Sequence, residues 1–420
     1  MRAPTGKWIA VCAALAFAAS ASEGTDWPQW RGPGRDGVAA CFTAPKVWPP
    51  MLTKVWSVEV GGGFASPVVM GDRVYLHSRR GDDEVVSAFA LGSGKVLWSD
   101  SYRSPFPDLE MGSHGPYATP AVNGGIVYAF GINEVLSAYD TASGKLLWRR
   151  DWGTEYKVPH PAFGASASPL VTDGLSIVHV GGEGKGALVA LDAKTGEPRW
   201  RVEGKGPSYG SAVTATFDGV RQVVTQTEST VIGVELATGK PLWEIPFGIP
   251  GRNAILTPVV YGDRFILSAG DTDVQAIRPF RKDGAWTAET LWSNREGMMD
   301  MSSPVLADGR LYGFSSRKQG TVFSLDPATG KLHWSSPGEM GHNATLVAAG
   351  EYLFILLESA NLLVVKQGGD AWTPVARFDV ADSAVFNTYP VLVGDRILVR
   401  DKNRLTLWSL GGWGFSLPGP

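Results

Sequence analysis

The stretch Leu191-Asp192-Ala193-Lys194-Thr195-Gly196-Glu197-Pro198-Arg199-Trp200 returns later as Leu325-Asp326-Pro327-Ala328-Thr329-Gly330-Lys331-Leu332-His333-Trp334. Looser copies run from Tyr139 to Trp148, from Leu91 to Trp98 and from Glu235 to Trp243. Alternating apolar residues precede the phrase, as in Ala187-Leu188-Val189-Ala190-Leu191, and read as a strand. The Asp opens a turn by accepting backbone N–H bonds, and the Gly supplies the positive φ that closes a hairpin. The Trp then marks the returning strand. A large indole at the same place in every copy is expected to pack between neighbouring units, at Trp56, Trp98, Trp148, Trp200, Trp243, Trp292 and Trp334.

Each copy sits inside a longer unit, which opens with a short apolar strand, usually Ser/Thr-Pro followed by two hydrophobic residues. The aligned positions are Pro67, Pro120, Pro169, Val213, Pro258, Pro304, Leu346 and Pro390, spaced 42 to 53 residues apart. Four short strands per unit of that length is the period of a β-propeller blade. Eight openings predict eight blades, an all-β ring over residues 53–410. The unit from Pro390 lacks the Gly-Lys-Trp ending, while Thr53–Val60 is an isolated strand that carries Trp56 without a preceding turn. The ring is therefore expected to close by pairing that N-terminal strand into the last blade, which also removes exposed sheet edges. Two units deviate. The fifth inserts Arg278–Trp286, expected to project at the rim, and the seventh has Gln367-Gly368-Gly369-Asp370 in place of Thr-Gly-Lys.

The remaining residues divide into three pieces. Residues 1–21 read as a secretory leader, with Arg2 and Lys7 ahead of an apolar run and Ala19-Ser20-Ala21 before a cleavage point. Residues 22–52 form an N-terminal extension in which Asp26-Trp27-Pro28-Gln29-Trp30-Arg31-Gly32-Pro33-Gly34 is too rich in Pro and Gly for a regular element; its two Trp are expected to tie it to the domain. Residues 411–420 form a tail. The mature chain has no apolar stretch long enough to span a bilayer, so it is expected in the periplasm or outside the cell. A net charge of −3 points away from nucleic acid. Cys41, the one cysteine beyond the leader, is expected as a small buried apolar side chain.

The repeats, of the form Ala-x-Asp-x-x-Thr-Gly-x-x-x-Trp, resemble those of the pyrroloquinoline quinone (PQQ) dehydrogenases and the propeller of the outer-membrane assembly lipoprotein BamB. The Asp-Trp-Pro-Gln-Trp-Arg-Gly opening is similar to the start of secreted PQQ-repeat propellers. The first resemblance implies a quinoprotein dehydrogenase with PQQ and calcium; the second implies binding of envelope proteins. The adjacent cysteine pair usual over the quinone is missing, no position matches the calcium or base motifs, and Cys12, preceded by Val11, is not expected to be a lipid anchor.

Propeller ligands sit at the mouth of the central channel, which the residues just ahead of each opening strand should line. Those positions hold Phe64, His114, Tyr117, His160, Phe163, Tyr209, Arg252, Asn253, Asp300, His342, Asn343 and Asn387. Arg252 offers a fork for a carboxylate, and Tyr117 and Tyr209 offer stacking faces, which together suit a planar or anionic small molecule. His114, His160 and His342 have no metal-ligand spacing in sequence, but all fall in loops ahead of inner strands and could converge across the channel as a metal or proton-transfer site. No nucleophile elbow, P-loop or dinucleotide fingerprint occurs. The chain thus reads as a binding or scaffolding module with no recognisable catalytic or metal set. The alternatives are a PQQ-dependent dehydrogenase using the channel mouth and a metal-assisted hydrolase using the three histidines.

Overall fold

The computed structural model describes residues 26–39, 41–106, 115–156, 161–248, 254–270 and 272–411. Eight sheets of antiparallel strands are arranged as a β-propeller. Blade one contains Val68–Met70, Arg73–Arg80, Asp83–Ala90 and Val96–Arg103, paired in that order. Blades two to seven repeat the scheme, and blade eight closes it: Thr53–Glu59 pairs antiparallel with Arg404–Ser409, as the missing Trp strand required. The only helical element among the described residues is a 3-10 turn at Arg317–Gln319, and no helix there is long and apolar enough to cross a membrane.

The repeated turn acts as its residues dictate. Asp192 Oδ1 accepts the Lys194 and Thr195 N–H groups at 3.0 and 2.9 Å, and Gly196 has φ +70°. The Trp of one blade then packs on the Gly of the next blade's turn. A Cβ on Gly196 would lie 2.6 Å from the Trp148 ring, and one on Gly239 2.8 Å from Trp200. The indole also donates to a carbonyl of that turn: Trp148 to Ala193 at 3.1 Å, Trp200 to Leu236 at 2.9 Å, Trp56 to Leu91 at 2.8 Å. Each of these three joints is therefore an apolar contact steered by one hydrogen bond.

The Ser/Thr ahead of the opening strand has, in five blades, a role that its sequence position did not announce. Its hydroxyl accepts a backbone N–H from an adjacent blade: Ser66 N to Thr119, Thr119 N to Ser168, Ser168 N to Ser211, Thr257 N to Ser303 and Tyr389 N to Ser66, all at 2.9–3.0 Å. These hydroxyls form a belt around the channel wall. Inner strands that line a channel have no sheet partner on that side, and the belt satisfies backbone groups that burial would otherwise leave unpaired.

The segment read as an extension is part of the ring. It runs through the channel and touches every blade. Trp27 bridges Val69 of blade one, and Pro28 O accepts Val122 N of blade two at 2.7 Å. Arg35 donates to Pro169 O of blade three at 2.9 Å and to Ala212 O ahead of blade four at 3.0 Å. Trp30 Nε1 donates to Thr257 Oγ1 of blade five at 2.9 Å, and Arg31 donates to Pro304 O of blade six. Val38–Ala39 adds a parallel strand to blade seven, and Phe42 bridges Gly394 of blade eight.

Two expectations need correction. Cys41 is exposed. Phe42 takes the inward position, packing on Trp48 and Phe354, so Cys41 beside it in extended chain faces out. The blade-five insertion does lengthen a hairpin, Val274–Lys282 with Ala285–Asn294, but it lies against blade four rather than standing free. Trp286 and Ala288 pack on the cluster of Phe217, Trp243 and Phe265, and Arg281 N donates to Asp218 at 2.6 Å.

Candidate binding site at the channel mouth

Five aromatic rings from consecutive blades form an arc around one mouth of the channel. Phe386 lies 5.7 Å from Phe64, Phe64 stacks on Tyr117 at 5.4 Å, Tyr117 meets Phe163 edge-on at 5.9 Å, and Phe163 meets Tyr209 edge-on at 5.7 Å. These separations suit aromatic pairs in tilted, stacked and edge-on geometry. The arc walls a cavity of about 360 Å³. Trp30 and Tyr389 line it too, in T-shaped contact at 4.7 Å, together with the hydroxyls of Ser166, Ser211, Ser303 and Thr345. Lys402 and Asn387 belong to the same lining.

The loops that carry the arc are held from behind by buried charge. Arg400 is wholly buried and donates to Ala65 O at 2.7 Å, Gly62 O at 2.7 Å and His77 O at 2.9 Å, fixing the loop that carries Phe64. Phe64 N and Ala65 N in turn donate to Pro116 O beside Tyr117. Arg79 holds Ser104 O at 2.7 Å, and Glu84 accepts Ile132 N at 2.9 Å. Ile132 O then accepts Ala165 N, next to Phe163. Burial lowers the Arg400 guanidinium to about 9 and the His77 imidazole to about 4, so His77 is neutral near neutral pH.

The charged side chain in the described lining is a cation, Lys402. Arg31 and Arg35 in the channel and Arg400 behind the wall are buried, each donates chiefly to backbone carbonyls, and none has a carboxylate within ion-pair distance among the described residues. The described lining contains no carboxylate. Asp36 beside Arg31 and the buried Asp401 beside Arg400 offset part of this charge from outside the lining, so the groups that face the guest are cationic or neutral.

Of the residues expected there, the structure brings Phe64, Tyr117, Phe163, Tyr209 and Asn387 together. Asn343 is buried beneath the rim, where it accepts from Ser302 and donates to Asn387 Oδ1, so it supports the lining. Asp300 and His342 lie off the cavity wall, His342 exposed with its N–H on Glu358. His114, His160, Arg252 and Asn253 lie outside the described residues. Trp30, Tyr389, Lys402 and the hydroxyl belt were missed. For Trp30 the signal was present, a Trp in a Pro/Gly-rich segment, but nothing in the sequence says where such a segment crosses. Among the described residues, no group of three or more His, Cys, Asp or Glu could hold a metal ion.

A family model described as "Outer membrane protein assembly factor BamB" matches residues 82–336. The chain belongs to that family. No match is found among curated proteins. Among solved structures, BamB from Moraxella catarrhalis is 16% identical, with a TM-score of 0.61 over 86% of this chain and 100% of its own. Quinohemoprotein alcohol dehydrogenase ADHIIG from Pseudomonas putida HK5 is 14% identical, with a TM-score of 0.68 over 94% and 82%. A europium-containing methanol dehydrogenase is 12% identical, with a TM-score of 0.70 over 92% and 98%. At these identities the likeness to solved structures is one of fold. This BamB-family propeller thus shares its ring with a protein named for assembly and with enzymes named for alcohol oxidation.

Proposed function

We propose that this BamB-family propeller is a secreted or periplasmic binding module and that its ligand is a planar, anionic small molecule held at the channel mouth. The observation that carries the reading is the five-ring arc around a cavity of about 360 Å³. Flat faces on several sides favour a ring-shaped guest, the absence of a lining carboxylate together with the buried guanidinium groups favours negative charge, and the belt hydroxyls supply directional contacts. The leader-like pattern of residues 1–21 supports export.

The fold also raises the quinone question. The aromatic walls suit a flat cofactor such as PQQ, but calcium is bound by clustered oxygen ligands including carboxylates, and the described lining provides none. The sequence has no adjacent cysteine pair. The described residues do not fit the quinone–calcium pair.

Isothermal titration of the purified protein with 2-naphthoate, and separately with PQQ and calcium, tests the proposal. Saturable 2-naphthoate binding that weakens tenfold or more in Phe163→Ala and Tyr117→Ala is expected. Heat-free titrations with both probes would sink it. Dye reduction by alcohols with PQQ and calcium would instead establish the dehydrogenase.

A second reading, docking of an envelope protein, is favoured by an apolar stripe on the outermost strands of blades eight, one and two. Val55, Val96, Leu97, Leu146 and Leu147 are each 40% exposed or more there. Leu97→Lys with Leu147→Lys should abolish co-purification of any partner; retention by the double variant counts against this stripe.

A further inference from the structure

We infer that the floor of the mouth site, and therefore its depth and size preference, is made by the N-terminal segment through Trp30, and not by the blades. The inference rests on the reading of the mouth as a binding site. It follows from levels along the channel. Phe64, Tyr117, Phe163 and Tyr209 stand a few residues ahead of the belt hydroxyls in their own blades. Trp30 is bonded at belt level, Nε1 to Thr257 Oγ1 at 2.9 Å, so it lies one layer below the arc. It lines the same cavity and meets Tyr389 edge-on at 4.7 Å, which fixes the indole across the channel.

Below that layer the segment fills the channel. Trp27 is buried against Val69, and Arg31 and Arg35 are buried among inner-strand carbonyls. A separate cavity of about 520 Å³ lies on the far side, lined by Gln29, Arg35 and Asp36 with the ends of inner strands. The mouth is thus a blind pocket stopped by an indole, with the Arg31 guanidinium 5.9 Å from the Tyr389 ring. Nε and Nη1 of Arg31 have no hydrogen-bond partner, so its charge is only partly satisfied by protein and acts on whatever rests on Tyr389 and Trp30.

A guest ring should therefore stop on Trp30, and removing the indole should admit a longer guest. The test compares 2-naphthoate with the longer 2-anthroate by titration in wild type, Trp30→Ala, Trp30→Phe and Thr257→Val. Trp30→Ala is expected to shift the anthroate-to-naphthoate affinity ratio about tenfold toward anthroate, the range in which pockets discriminate by guest size. Trp30→Phe should shift it less, and Thr257→Val should loosen the floor without deepening it. General destabilisation weakens both probes together and leaves the ratio unchanged. An unchanged ratio in Trp30→Ala, with Phe163→Ala still losing binding, overturns the floor and spares the mouth site.

A second measurement needs no guest. In a Cys41→Ala background, Trp30→Cys should react with methyl methanethiolsulfonate, and Ser166→Trp, which blocks the mouth, should slow that reaction at least tenfold. A thiol at position 30 that is inert in the folded protein, or whose labelling ignores the blocked mouth, overturns the inference even when no probe binds.

Discussion

The joint between blades three and four and the joint between blades four and five use the same residue in different ways. At the first, Trp200 lies on Gly239 and donates to Leu236 O at 2.9 Å. At the second, blade five has no Thr-Gly turn to receive Trp243. Its indole turns back on its own blade, donating to Gln222 Oε1 at 2.7 Å, and stacks on Phe265 at 5.5 Å. The joint between blades six and seven goes further: Trp334 is buried with Nε1 unpartnered and packs on Trp372 at 5.8 Å. The difference shows that the joint is an apolar contact first. The hydrogen bond is made where the next turn presents a carbonyl, replaced where a neighbour offers one, and dropped where neither does.

Four predictions break or sharpen this comparison. The largest effect is expected at the regular joint, where Trp200→Ala removes both the buried ring and its bond and should cost about 3–5 kcal/mol in urea unfolding. Trp334→Ala should cost about 1 kcal/mol less, because no hydrogen bond is lost. Equal costs would show that the turn carbonyl contributes nothing.

The next effect depends on pH. Two joints carry a buried carboxyl that accepts an N–H of the following blade, Glu84 from Ile132 and Glu134 from Gly181. Burial, with Glu155 and Asp151 nearby, pushes Glu134 up to about 8 against the pull of the Gly181 N–H. Between pH 4.5 and 8 the unfolded chain therefore gives up this proton while the folded chain keeps it, and stability falls as pH rises. Glu134→Gln should flatten that slope, which amounts to at most a few kcal/mol across the window. His77 and His179, both lowered to about 4 by burial, work the other way, removing stability as pH falls from 6.5 toward 4. An unchanged slope in Glu134→Gln would place the proton elsewhere.

A third, smaller effect separates two glycines. A Cβ on Gly239 meets Trp200 at 2.8 Å with φ +75°, whereas one on Gly369 in the atypical blade-seven turn meets nothing within 4 Å with φ +64°. Both alanine variants bear the left-handed strain of ~1–2 kcal/mol, so Gly239→Ala should lower the melting temperature further. The smallest effect is Trp334→Phe. It removes an N–H that has no partner and keeps an aromatic ring, so its stability should lie within about 1 kcal/mol of wild type by the same unfolding assay.

How much was legible follows from these residues. The turn, its Gly and the docking Trp are local, so a repeat of them predicts blades, their number and the closing strand at Thr53–Glu59. Positions just ahead of the inner strands could be counted from the same repeat, which is why Phe64, Tyr117, Phe163, Tyr209 and Asn387 were found. Lys402 could not be, since it stands beyond the inner strand of blade eight and reaches the mouth only through the closed ring. Asn343 faces into the rim, an orientation that side-chain type alone does not reveal.

The sequence by itself determined the unit, because a period of 42 to 53 residues with one turn chemistry admits one kind of sheet. Tertiary structure alone decided what fills the hole in the middle. A ring of eight sheets leaves a channel whose inner strands need partners, and the Trp27–Phe42 segment meets that need by contacts hundreds of residues apart, Trp30 with Thr257 and Arg31 with Pro304 among them. Such contacts leave no period in the chain, and so the floor of the site became visible only when the ring closed around it.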